Sequence, residues 1–150
     1  MNWFKKIFGR PRVESDDVER EFNAQMAEIK SASKIDDDGH YTDSVEKIKS
    51  LKREGRNSEA IELLLKCVDA TEREARTANS KPSVLDERFS FLEEGRSEHG
   101  WGVAPWYYEQ LAILLYRKEK QYQKEVEILE RYEKRACKAF CVNGPGLSCQ

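Results

Sequence analysis

Apolar residues return every three or four positions through most of this chain, and the phase resets at short polar breaks. Val18, Phe22, Met26 and Ile29 form the first such stripe. It predicts a helix over 15–34, with Ser15 as its cap and Asp16, Asp17 and Glu19 at its positive end. The acidic run Asp36-Asp37-Asp38-Gly39 breaks that helix. The next begins near Asp43, with Glu46 as a capping-box partner and Val45, Ile48 and Leu51 along one side, and Gly55 closes it. A longer helix over 58–78 is expected to bury Ala60, Ile61, Leu64, Cys67, Val68 and Thr71. Leu63 and Leu65 flank that face and predict cover on more than one side. Residues 81–102 are the least regular, although Leu85, Phe89 and Leu92 predict a short helix ending at Gly95. Pro105 then stands in the first turn of a new helix, where its missing N–H costs nothing. That helix carries Trp106, Tyr108, Leu111, Ala112 and Leu115. After a turn at Lys120-Gln121, the residues Tyr122, Val126, Leu129, Ala136 and Phe140 make the most regular stripe in the chain, expected to face the core. The pattern as a whole predicts an all-α protein: an amphipathic segment over 1–14, one helical domain over 15–140 with an irregular connection over 80–103, and a flexible tail over 141–150.

Two stretches, 51–67 and 114–132, share one plan: the end of a helix, a tight polar turn, and a second helix with an apolar stripe. Gly55, Ala60, Ile61, Leu64 and Cys67 in the first, and Tyr116, Tyr122, Val126 and Leu129 in the second, resemble the helical hairpin of tetratricopeptide repeats. Asn57 stands where that family usually has an aromatic, Glu125 where it has alanine, and Lys120 where it has the turn glycine. The two hairpins are about 65 residues apart, Ala60 to Glu125, against the ~34 of a tandem array. The resemblance implies antiparallel hairpins stacked as a short array, with an extra N-terminal helix and a groove for a peptide or protein.

Charge then narrows the functions. Of 150 residues 36% are charged and 39% hydrophobic, a balance that would suggest disorder were the apolar residues not at helical spacing. The 26 basic and 28 acidic residues leave a net charge of −2, without the basic excess of a nucleic-acid-binding domain. No apolar run approaches the ~18 residues of a membrane span. The N-terminus lacks a signal peptide's apolar core, so a cytoplasmic protein is expected. Trp3, Phe4, Ile7 and Phe8 share one helical face, with Lys5 and Lys6 opposite and Arg10 and Arg12 following. This segment either folds onto the domain's own apolar surface or serves as a short foot on a membrane surface or partner.

Candidate chemistry is sparse. His40 and His99, the latter beside Glu98, lie in no metal or nucleophile motif; a hydrolytic site built on Glu98 and His99 is the weakest reading. Asp36–Asp38 fail as a calcium loop, because positions 34 and 45 hold Lys34 and Val45 where acids are needed. Cys67 is expected to pack in the core. Cys137, Cys141 and Cys149 fall one ligand short of a closed zinc site. No catalytic residue, metal or cofactor is predicted. The aromatic cluster Trp101, Trp106, Tyr107 and Tyr108 is the best candidate surface. Tyr108 shares a face with Leu111 and Leu115; Trp106 and Tyr107 lie about 200° and 100° from it, so one of them is expected to face elsewhere, unless Trp101 and Trp106 serve to pin the long connection onto the hairpin. Trp101, Trp106, Tyr107, Gln110 and Arg117 are therefore the candidate lining of a groove. The expected function is non-catalytic binding of a protein or peptide, with a membrane-peripheral adaptor held through Trp3, Phe4, Ile7 and Phe8 as the alternative. A homodimer is a further possibility.

Overall fold

The computed structural model describes residues 15–35, 39–80 and 101–141. Helix α1 spans Ser15–Ala32. A 3₁₀ turn, Tyr41–Ser44, leads into α2, Val45–Arg53. Helix α3 runs over Asn57–Ala78, α4 over Pro105–Ile113, and α5 over Tyr122–Cys141. Between α4 and α5 the coil widens into one π-helical stretch, Leu114–Lys118. The described residues contain no strand, only one isolated bridge between Lys34 and His40, so the protein is all-α. Among them, no helix is long and apolar enough to cross a membrane. The N-terminal foot with Trp3, Phe4, Ile7 and Phe8, the acidic run 36–38, the short helix expected near Leu85–Leu92, and the tail beyond 141 lie outside the described residues.

Helix α3 is the hub. Ala60, Leu64, Cys67, Val68 and Ala70 have no exposed surface, and Thr71 has almost none. Ile48 and Leu51 of α2 pack on it, and Tyr107, Tyr108, Leu111, Leu114 and Leu115 cover another side. This matches a helix with apolar residues on more than one flank. The α2–α3 turn uses Gly55 at φ +75°, a left-handed conformation that suits glycine. The α4–α5 turn demands the same conformation of Lys120, at φ +53°.

The direction of each helix follows from its contacts. Ile35, just after α1, lines a hollow with Leu63, while Arg73 donates to the carbonyls of Ala32 and Lys34 at 3.3 and 2.8 Å. Helix α1 therefore runs antiparallel to α3. Ile128 of α5 faces Ile61 and Leu65 across a cleft, and Arg131 reaches Asp69, so α5 runs parallel to α3. Helix α4 lies between them and antiparallel to both.

Three local expectations need correction. The helix near Asp43 starts two residues earlier, as a 3₁₀ turn whose cap is His40: Nδ1 accepts the Thr42 N–H at 3.2 Å. Of the α1 stripe, only Ile29 is buried, and Met26 stays 38% exposed. The regular α5 stripe faces away from the core: Tyr122, Val126 and Leu129 are 54, 48 and 45% exposed. Ile128 is buried in their place, with Tyr132 packed against the same core. The physical reason lies on α4, whose buried Tyr108 ring meets Tyr132 at 5.1 Å and so fixes the rotation of α5 about its axis.

Candidate functional site

Helices α3 and α5 run side by side but do not close on each other. Between them, with α4 as the floor, lies an open cleft of about 420 Å³. Its apolar lining is Ile61 and Leu65 from α3, Leu111 and Leu115 from α4, and Ile128 from α5. Each is in place for a local reason. Ile61 and Leu65 are i, i+4 on one flank of α3, and Leu111 and Leu115 repeat that spacing on α4. Leu65 is 40% exposed, a branched side chain left at the mouth rather than in the core. Polar groups ring the opening: Ser58, Glu119, Gln121, Lys124, Glu127 and Arg131. An apolar floor under a rim of mixed charge suits apolar side chains carried on a polar backbone.

One end of the cleft is braced by a buried ionic cluster. Glu72 on α3 is 5% exposed and accepts from Tyr108 Oη at 2.8 Å and Arg131 Nε at 2.7 Å. Arg135 Nε lies 3.2 Å from its other oxygen, and Arg131 Nη2 also holds Asp69 at 2.6 Å. Burial pushes the Glu72 carboxyl up, but the hydrogen bonds from Arg131 and Tyr108 and the two guanidinium charges outweigh it and hold the group below the ordinary carboxylate range. Tyr108 is pushed well above the phenol range by burial and by its bond to Glu72. Glu72 is thus ionised and fully engaged with partners, a clamp joining three helices rather than a group free to move a proton. Glu72 is not among the residues that the sequence pattern singles out. Its signal was present: Leu64, Val68 and Glu72 continue one i, i+4 row, and Arg131 and Arg135 repeat the spacing on α5.

A second polar group closes the other side of α3. Tyr41 Oη donates to Glu74 at 2.6 Å, and Tyr107 Oη donates to the Tyr41 carbonyl at 3.2 Å. Burial first, then Glu74, pushes Tyr41 up to about 12. His40 Nδ1 accepts the Thr42 amide, and its Nε2 lies 3.6 Å from Glu74. His40 therefore fastens the start of the 3₁₀ turn.

The five residues expected to line one groove are distributed otherwise. Tyr107 is 4% exposed, edge-on to Tyr41 at 5.4 Å and to Trp106 at 5.0 Å, so its ring has no surface to present. Helix α4 is apolar nearly all round and packed on two sides, which leaves the Tyr107 flank covered as well as the Tyr108 flank. Trp106 is half-buried against Tyr107. Gln110 accepts a hydrogen bond from Lys52 and bridges α4 to α2. Trp101 is 49% exposed, and its backbone N–H and C=O are both held by the Asn79 side chain at 2.8 Å. It lines a shallow hollow with Met26, Ala27 and Ile29, away from the α3–α5 cleft. The Arg117 side chain lies outside what is described. Among the described residues, no group of three or more His, Cys, Asp or Glu could hold a metal ion. Cys67 is fully buried, and burial pushes its thiol up to about 11. Comparison of the chain with protein-family models, with curated proteins and with solved structures finds no match.

Proposed function

We propose that this protein is a non-catalytic docking module that takes an apolar peptide or protein segment into the cleft between α3 and α5. The observation that carries this reading is the cleft's composition, with Ile61, Leu65, Leu111, Leu115 and Ile128 beneath a rim of Glu119, Gln121, Lys124, Glu127 and Arg131. Its size suits two or three apolar side chains presented at helical spacing, a common mode of groove recognition. The ionisable groups beside it, Glu72 and Arg131, are committed to each other and to Tyr108. The hairpins α2–α3 and α4–α5 support a tetratricopeptide-like arrangement through the glycine turn at Gly55, the fully buried Ala60 and Leu64, and the position of α4 against α3. The wide sequence spacing of the two hairpins then makes this a two-hairpin unit with an inserted connection rather than a tandem array.

The test is selection of peptides from a random display library on the full chain, followed by anisotropy titration of the selected sequences. We expect peptides with apolar residues at i, i+3 or i+4. Leu65→Glu should weaken them at least tenfold while circular dichroism stays unchanged, because Leu65 is already half in water. Selected peptides that bind Leu65→Glu as well as the parent chain would assign the docking elsewhere.

A further inference from the structure

The α4–α5 hairpin has a second apolar surface, separate from the cleft. Tyr122, Val126 and Leu129 lie on the flank of α5 turned away from Ile128 and the cleft. Ile113 and Tyr116, 37 and 50% exposed, continue it across the outer side of α4 and the π-helical stretch, with the Tyr116 and Tyr122 rings 5.3 Å apart. Five large apolar side chains share this side of one hairpin. A contiguous apolar patch rimmed by charged residues marks an interaction surface.

Its charges are arranged by position along the helix. Lys120, exposed, stands at the turn end. Glu133 is exposed on the same flank of α5 two turns beyond Val126, with Glu130 beside it and Glu109 on α4. None of Glu109, Glu130 and Glu133 makes an ion pair among the described residues. Val126 falls midway between Lys120 and Glu133, six residues from one and seven from the other. A two-fold axis through Val126 therefore lays α5 antiparallel to a copy of itself. It brings Lys120 of each chain to Glu133 of the other, and Leu129 between Tyr122 and Val126 of the other. A base at one end, acids at the other and the row Tyr122-Val126-Leu129 between them, with Glu125 half-buried beside it, is the self-complementary pattern that an isologous interface requires.

We propose that this face joins two copies of the chain in an antiparallel α5–α5 dimer, leaving the α3–α5 cleft of each copy open. Five apolar side chains and a few charges are fewer than the roughly 20–30 residues a side of a standard stable interface, so a dissociation constant in the micromolar range is expected. Sedimentation equilibrium of the full chain across a concentration series measures it. Val126→Lys places like charges together at the axis and should abolish dimerisation at every concentration tested, with helix content unchanged. Lys120→Glu alone, or Glu133→Lys alone, should weaken the dimer about five- to tenfold. The double variant Lys120→Glu/Glu133→Lys should restore it, because both inter-chain pairs are then re-formed with signs exchanged. A chain that stays monomeric throughout overturns the proposal. So does a dimer indifferent to Val126→Lys, failure of the double variant to recover, or a dimer that forms only once residues 1–14 are removed, which would assign the face to the chain's own Trp3-Phe4-Ile7-Phe8 segment.

Discussion

Glu72 shows how one side chain can set the geometry of several elements. It is buried on α3, yet its oxygens take bonds from α4 through Tyr108 and from α5 through Arg131 and Arg135. Removing the charge while keeping the shape, as in Glu72→Gln, leaves two guanidinium groups facing a neutral amide. Those groups are about one-third exposed, so water recovers part of the loss. The expected cost is about 2 kcal/mol, below the 3–5 of a fully buried broken pair. The pH dependence follows from the direction of the shift. The folded-state carboxyl titrates below its unfolded value, so its contribution is present above the unfolded range and is lost as pH falls through the folded value. Urea denaturation of parent and Glu72→Gln should therefore differ by the full amount at pH 7 and converge as the buffer is taken below about pH 4.5, the ordinary value for the group. A difference that persists in strong acid would mean that shape rather than charge is responsible. The sequence allowed Cys67 to be assigned to the core, because an apolar row runs through it. It hid the role of Glu72, because an acid on a charged helix reads as surface until its partners on other elements are known.

Among the elements, the two hairpin turns provide an internal comparison. Both place one residue in the left-handed region, Gly55 in the first turn and Lys120 in the second. A Cβ added at Gly55 would meet nothing within 4 Å, so Gly55→Ala tests the backbone term alone. It should cost about 1 kcal/mol, the penalty of that conformation for an L-residue. Lys120→Gly should act in the opposite sense, relieving the same strain against the added freedom of glycine in the unfolded chain, for a net change under about 1 kcal/mol. Chemical denaturation of the two variants measures both, and a stabilising Gly55→Ala would contradict the turn geometry. The elements themselves were legible: periodicity located the helices, and Gly55 and Pro105 marked their ends. The rotation of α5 was not. That helix carries two apolar rows, Tyr122-Val126-Leu129 and Ile128-Tyr132, and periodicity favours the more regular one. The core takes the other because Tyr108 and Glu72 offer ring and charge partners to Tyr132, Arg131 and Arg135, a tertiary preference no single-helix pattern contains. The same limit explains Tyr107. A groove role was inferred from its angle to Tyr108, but a helix packed on two sides buries both.

At the scale of the whole molecule, cohesion is unevenly distributed, and this governs how the protein opens. Helix α3 packs against α2 and α4, and its carboxylates bind α5, so its amides can exchange with solvent only when most of the core separates. Helix α1 is held differently. Ile29 is its one well-buried apolar side chain, and its end is fastened by Arg73 to the carbonyls of Ala32 and Lys34. Lifting α1 exposes little apolar surface and breaks a few hydrogen bonds at the surface, so it should open as a unit of its own, far below the global unfolding free energy. Native-state hydrogen exchange on the full chain resolves the two cases. Amides of α1 should exchange orders of magnitude faster than those of α3. Low urea should bring α3 toward the global limit without altering α1, whose opening exposes too little surface to respond. Lys or Glu in place of Ile29 should accelerate α1 alone. Equal protection of α1 and α3 would show instead that the N-terminal helix belongs to the same cooperative unit as the hub. The cleft between α3 and α5 would then be framed by a scaffold that opens all at once, whereas separate opening keeps its walls fixed while the molecule's other edge moves.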